Sequence, residues 1–166
     1  MCSSDLSSPL PSWIARTIAS AACRAGRGEG RAWEQGSHPA AGKAMQRRLT
    51  HCNDRHADST WWKAQHPELG LGPPSWGWLA AAYASIARLQ RHGVLEQAAT
   101  PILLLGTTAD RLVSAAAIRA TAARLPDSRL VMVEEAAHEL LREEDAIRLP
   151  LMTAIDAFLS ERAPAR

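Results

Sequence analysis

Between Thr100 and Ser160 the sequence states one pattern twice: a short apolar run, then an amphipathic helix. "TPILLLGTTADRLVS" holds four consecutive apolar residues, 102–105, entered through Pro101 and left through Gly106. A run so short and so uniformly apolar reads as a strand covered on both faces, as in a parallel sheet. "SAAAIRATAARLPDS" predicts a helix capped by Ser114, with Ile118, Ala122 and Leu125 turned inward and Pro126 after it. "RLVMV", residues 129–133, is a second strand. Residues 150–160 predict a last helix with Leu151, Ile155, Phe158 and Leu159 on one face and Pro150 at its first position. Strand, helix, strand, helix at this spacing is a βαβ unit, so the fold class is α/β with parallel strands and crossover helices. Two strands do not close such a core. Either residues 1–10 add the tail of a core strand, with "SDLSSPL" as its end, or the rest of the sheet lies outside these residues.

Ahead of Thr100 the pattern is helical. "SSPLPSWIARTIASAACRAGRG" predicts a helix that starts at Pro11 and Ser12, spaces Ile14, Ile18 and Ala22 four apart, and stops at Gly26. From Gly26 to about Thr60 no period is sustained, which predicts loops with one short helix at most. "ADSTWWKAQHPEL" predicts a short helical turn ended by Pro67. The clearest helix follows Ser75, its N-cap. Leu79, Ala82, Tyr83, Ile86 and Leu89 form its apolar stripe, and Arg88, Arg91 and His92 sit in the last turn before Gly93. The expected division is a core-strand tail at 1–10, a mostly helical segment at 11–97 and an α/β segment at 98–166.

Composition sets the outer bounds. The chain has 166 residues, 46% hydrophobic and 22% charged, which allows one modest domain with its own core. A net charge of +2 gives no footprint for nucleic acid. The charge is uneven: residues 1–100 carry 11 Lys and Arg against 7 Asp and Glu, the remainder 8 against 10. A mildly basic front half suits weak contact with an anionic membrane surface, although a solvated Arg-rich surface accounts for it more simply. Cys2, Cys23 and Cys52 are odd in number and share no C-x-x-C spacing. Neither a disulfide framework nor a zinc site is supported, and a reducing, cytoplasmic compartment fits best. His51, His56 and His66 show no ligand spacing and read as solvated loop residues, so no metal and no cofactor is expected. The longest uncharged stretch, 69–87, holds three Gly and two Pro and is not a membrane span.

Chemistry collects at the carboxyl ends of strands in open parallel sheets. Both strands deliver a titratable residue there: Asp110 soon after the first and His138 soon after the second. The order strand, Asp, helix, strand, His is what the later members of a Ser–Asp–His triad require. The histidine takes the nucleophile's proton, and the carboxylate fixes its tautomer and stabilises the imidazolium. Alone, an Asp and a His on loops 28 positions apart carry little weight, because a surface Asp turn and a solvated His look the same. The acidic run Glu143, Glu144 and Asp145 reads as an exposed helix start.

The wording around these residues is more specific. Residues 100–148 resemble the C-terminal end of the lysophospholipase and monoacylglycerol-lipase-like branch of the α/β-hydrolases, also labelled serine aminopeptidase-type. There a P-[apolar]-L-x-G-x-x-D-x-[apolar]-V stretch carries the acid and a [small]-x-H-E-[apolar] stretch the histidine. His138 matches the second stretch, as do Glu139 and the two leucines after it, and Asp110 fits the first with one residue more on each side of Gly106. Upstream, "PELGLGPPSWGW" within residues 48–89 resembles the cap segment of bacterial lysophospholipases of this branch, and residues 7–19 resemble the entry into that cap. The resemblance implies the C-terminal part of an α/β-hydrolase fold preceded by a mostly helical cap. It implies a carboxylic-ester hydrolase acting on a lipid ester, with Asp110 and His138 as catalytic residues. Trp61, Trp62, Trp76 and Trp78 are large enough to line an acyl entrance, Trp76 and Trp78 being the substrate-binding candidates, though packing between cap helices explains each more simply.

One element of the family pattern is absent. The nucleophile of these enzymes sits in a G-x-S-x-G elbow, and no such stretch occurs here: Ser37 lies in "QGSHP" and Ser75 in "PPSWG". Three arrangements follow, of which the first is favoured. The chain is a truncated piece of a full hydrolase whose N-terminal half supplies the serine; or it is one half of a split enzyme; or it is a non-catalytic, cap-like module that binds a partner or lipid. In every case the chain alone is expected to be inactive as a hydrolase.

Overall fold

The computed structural model describes residues 11–33 and 43–163. Helix α1 (Ser12–Ala22) runs on through a wider π-type turn, Cys23–Arg27, and breaks where Gly26 adopts a φ of 76°, a conformation that costs glycine nothing. α2 (Lys43–Leu49) and α3 (Asn53–Gln65) follow, then α4 (Trp76–Leu89). The expectation of one short helix at most between Gly26 and Thr60 is therefore corrected to two among the described residues. α3 has no buried residue and so no apolar stripe to announce it. It is held instead by Arg55, whose guanidinium donates to the Glu143 carbonyl and pairs with Asp145 at 2.5 Å.

α1 packs along α4, burying Ala19 and Tyr83. The start of α4 is fixed chemically: Ser75 Oγ accepts from the Trp78 N–H at 3.1 Å, as expected of its N-cap. Residues 28–32 run beside it, with the Trp76 and Gly77 N–H groups donating to the Gly30 and Gly28 carbonyls at 3.0 and 2.8 Å. Gly93, with φ at 86°, turns the chain away beyond the helix end.

The C-terminal part is the βαβ unit. β1 (Ile102–Thr107) and β2 (Ser128–Val133) pair in parallel, Ile102 opposite Ser128 and Thr107 opposite Val133, joined by α5 (Ala115–Arg124). Ser114 caps α5 by accepting from the Ala117 N–H. α6 (Asp145–Arg162) closes the chain, and Leu151, Ala136 and Leu140 form a small core against Leu105, Val131, Val133 and Ile147. α6 begins five residues before the expected Pro150, which lies inside it. At the sixth position of the helix, beyond the first turn, the proline forfeits a single intrahelical bond, which packing of Leu151 and Phe158 offsets. Arg124 ties the two regions together, donating to the Leu89 and Arg91 carbonyls at 3.0 and 2.6 Å and pairing with Glu96 at 2.8 Å. Among the described residues no helix is long and apolar enough to cross a membrane.

Candidate active site

The parallel register brings the carboxyl ends of β1 and β2 to one level, with Thr107 directly opposite Val133, so the loops that follow leave from one edge. Thr107 then stitches them together. Its hydroxyl, 1% exposed as a residue, donates to the Ala136 carbonyl at 2.9 Å and accepts from the Ala109 N–H at 3.1 Å. A buried hydroxyl that both donates and accepts is satisfied, and it fixes the first loop against the second.

Asp110 lies in the first loop. One carboxylate oxygen accepts from the Leu112 and Val113 N–H groups at 2.7 and 3.0 Å. The other faces His138 Nδ1 at 2.9 Å. Burial by itself pushes the Asp110 carboxyl up. The bond from His138 and the two backbone donors together outweigh it, and the group sits below its ordinary value of 3.8. An ionised carboxylate can only accept, so Nδ1 carries the proton and, in the neutral imidazole, Nε2 keeps its lone pair. No described residue hydrogen-bonds Nε2. The Asp110 side chain is 5% exposed and that of His138 37%, so the acid is sheltered and the ring reaches the surface. That is the orientation a general base needs.

The main chain around His138 is tied to the segment between α2 and α3. The His138 and Glu139 N–H groups donate to the Arg48 and Leu49 carbonyls at 3.1 and 2.7 Å, and the Thr50 hydroxyl donates to the Arg142 carbonyl at 2.8 Å. Glu143, read from the sequence as part of an exposed helix start, is fully buried in this seam, while Glu144 and Asp145 are exposed. The acidic run conceals the difference, because only the fold closes backbone donors around Glu143 and buries it.

A cleft of about 640 Å³ opens beside the pair. Ala109 and Arg111, which flank Asp110, line one wall, Glu135, Ala136 and Ala137 the next, and Gln46, Arg47, Arg48, Thr50, His51 and Asn53 the third. Glu135 turns the loop with φ at 59°. The structure thus brings Asp110 and His138 together beside a polar cleft. It does not bring Trp76 or Trp78 to that cleft: Trp76 is partly buried at the start of α4, and Trp78 is exposed on it. Trp61 and Trp62, on α3, are exposed as well, packed edge to face with ring centres 4.9 Å apart. Ser37 lies outside the described residues. His51 is exposed in its loop as expected, with Nδ1 2.9 Å from Glu143, but the expectation of solvated loop histidines is corrected for His56, which lies within α3 with its Nδ1 buried. His66 is exposed and stacks on Trp62. Among the described residues no group of His, Cys, Asp and Glu side chains is arranged to hold a metal ion.

Parallel strands that hand an acid and a histidine to one edge through successive loops, with helices tied to the histidine loop, are the pattern of the α/β-hydrolase fold. The family model described as serine aminopeptidase, S33, matches residues 7–145, and the chain belongs to this family. The chain is similar to the probable lysophospholipase L2 of Haemophilus influenzae, 27% identical over 112 residues, which is 68% of this chain and 35% of that protein. Its fold is similar to that of a monoglyceride lipase from Saccharomyces cerevisiae, solved as a soluble variant with a substrate analogue: TM-score 0.63, 12% identity, 90% of this chain and 50% of that one. A thermophilic esterase from Thermogutta terrifontis, solved with malate bound, aligns at a TM-score of 0.48 and 22% identity over 93% of this chain and 51% of that one. The chain spans about a third of the length of the curated relative and half of each solved structure.

Proposed function

We propose that residues 11–97 act as the cap and residues 98–163 as the acid–base half of a serine hydrolase that cleaves the carboxylic ester of a small lipid. The observation that carries this is the 2.9 Å bond between His138 Nδ1 and an Asp110 carboxylate locked by two backbone donors. His138 Nε2 takes the proton of a serine hydroxyl as its oxygen attacks the ester carbonyl. It returns that proton to the departing alkoxide as the C–O bond breaks, leaving an acyl-serine. A water molecule repeats the sequence and releases the fatty acid. Asp110 stays ionised throughout and stabilises the imidazolium. The serine comes from polypeptide outside these 166 residues, because the chain contains no G-x-S-x-G stretch. The isolated chain is therefore expected to leave a short-chain nitrophenyl ester intact and to resist fluorophosphonate labelling. Addition of a polypeptide carrying the serine elbow should restore both, and Asp110→Asn or His138→Ala should abolish them. Turnover by the isolated chain that His138→Ala removes would place the nucleophile inside it and overturn this division.

Between lysophospholipid and monoacylglycerol, the cleft favours the phosphate-bearing ester. Arg47, Arg48 and Arg111 line it without an ion pair among the described residues, against the single carboxylate of Glu135. Glycerophosphocholine should perturb the amide resonances of residues 46–53 and 109–111 where glycerol does not. Equal responses to both would remove this preference. A second reading, contact with a membrane surface, is supported by Trp13, Trp61, Trp62 and Trp78, each more than half exposed. Co-sedimentation with anionic vesicles tests it, and a chain that stays in the supernatant rules it out.

A further inference from the structure

Glu143 is a carboxylate with no solvent contact, at 0% exposure as a residue. Such a group is among the costliest to bury and persists only when donors surround it. Three do. One oxygen accepts from the Ala137 N–H at 2.6 Å and lies 2.9 Å from His51 Nδ1, and the other accepts from the His51 N–H at 3.1 Å. The donors come from two distant places. His51 belongs to the link between α2 and α3, whereas Ala137 is the residue immediately before His138.

We propose that Glu143 is a positioning residue: its carboxylate clips the helical segment to the loop that carries His138, so that the seat of this segment sets the aim of the imidazole. Identifying His138 as the base rests on the function proposed above; the clip itself does not. The ring is held from two sides. Asp110 grips Nδ1 from the β1 loop, and the backbone that carries the ring is gripped through Ala137 by Glu143 and through its own N–H by the Arg48 carbonyl. The bonds to Arg48, Leu49 and Thr50 join the same two segments, but they are neutral. Charge-assisted bonds are shorter and stronger, and the 2.6 Å contact at Ala137 is one of them. A glutamine cannot replace this carboxylate. It has one acceptor oxygen, and its amide group would turn N–H bonds toward donors.

The test is proton NMR of the full 166-residue chain, following the proton shared by His138 and Asp110 and the exchange of the Ala137 and His51 amides. In Glu143→Gln the shared-proton resonance should broaden beyond detection, and at least one of the two amides should exchange about tenfold faster or more. Thr50→Val, which cuts another bond of the seam, should leave the shared proton in place. A Glu143→Gln chain with the resonance unmoved, or a Thr50→Val chain that loses it equally, overturns the proposal. Should Glu143→Gln fail to fold, the unaltered chain decides: one shared carboxylate should give Ala137 and His51 protection within about threefold of each other, and a gap beyond about tenfold refutes the clip. An unaltered chain without the shared-proton signal would instead sink the Asp110–His138 reading itself.

Discussion

Gly106 lies in β1 one residue before the strand ends, and a methyl group there has no room. A β-carbon built on it falls 2.9 Å from Met132 Sδ on β2, and 3.0 and 3.3 Å from Ile118 Cδ1 and Cγ2 on α5. Relaxed contacts between such atoms are about 3.5–4.0 Å, so Gly106→Ala is short by roughly half an ångström or more at two atoms and by a few tenths of an ångström at the third. The methionine tail and the Ile118 terminal methyl can swing aside. The Ile118 Cγ2 sits on a branched β-carbon inside a helix, where a second rotamer is scarcely available, so α5 itself has to move. Overpacking of this kind costs about 1–3 kcal/mol. With a urea slope of about 2 kcal/mol per molar for a chain of this size, the unfolding midpoint should fall by roughly 0.5–1.5 M. Ile118→Val removes Cδ1, and the double variant should recover part of the loss, a coupling of about 0.5–1 kcal/mol. A Gly106→Ala midpoint within about 0.2 M of the unaltered chain would refute the tight strand–helix contact. A loss that Ile118→Val does not soften would locate the clash elsewhere.

Other consequences follow from single residues. Asp110 is held below its ordinary value, so its contribution to stability is full above about pH 4 and is lost as pH falls through the lowered value. The stability difference between the unaltered chain and Asp110→Asn, measured by urea unfolding from pH 6 down to 3, should therefore shrink toward the acid end; a constant difference would contradict the shift. Ser75→Ala removes the cap of α4 and should cost about 1 kcal/mol, with faster amide exchange at Trp78. The bond from Arg124 draws the Glu96 carboxyl down to about 2. Arg124→Met should let Glu96 titrate at a higher pH by NMR and speed exchange across residues 89–96, while the β1–β2 amides stay protected.

The parts that were legible in the sequence are those whose signal is local. The run at 102–105 between Pro101 and Gly106 announced β1, and Ser75 and Ser114 announced the helices they cap, because a cap acts over three residues. The lysophospholipase-like family was likewise readable from the motifs around Asp110 and His138. What escaped was tertiary. α3 has no apolar face and depends on Arg55 reaching Asp145, 90 positions away. Pro150 looked like a helix start because its own position gives no sign that Leu151 and Phe158 would hold the helix past it. Glu143 is indistinguishable from its acidic neighbours until His51 and Ala137 close on it. Thr107 and the cleft arginines carry no pattern of their own, and only the meeting of two loops gives them a place.

The bonds that join His51, Thr50 and Arg55 to Glu143, Arg142 and Asp145 bridge separations of 90 and 92 positions, which bears on timing. Closing so long a stretch of chain is entropically slow, and these bonds repay it only after β2 and its loop exist. α3, which buries none of its own residues, has to wait for them. During synthesis, the earlier-made helix is therefore the later one to settle, and a ribosome stalled before Glu143 would carry it unanchored.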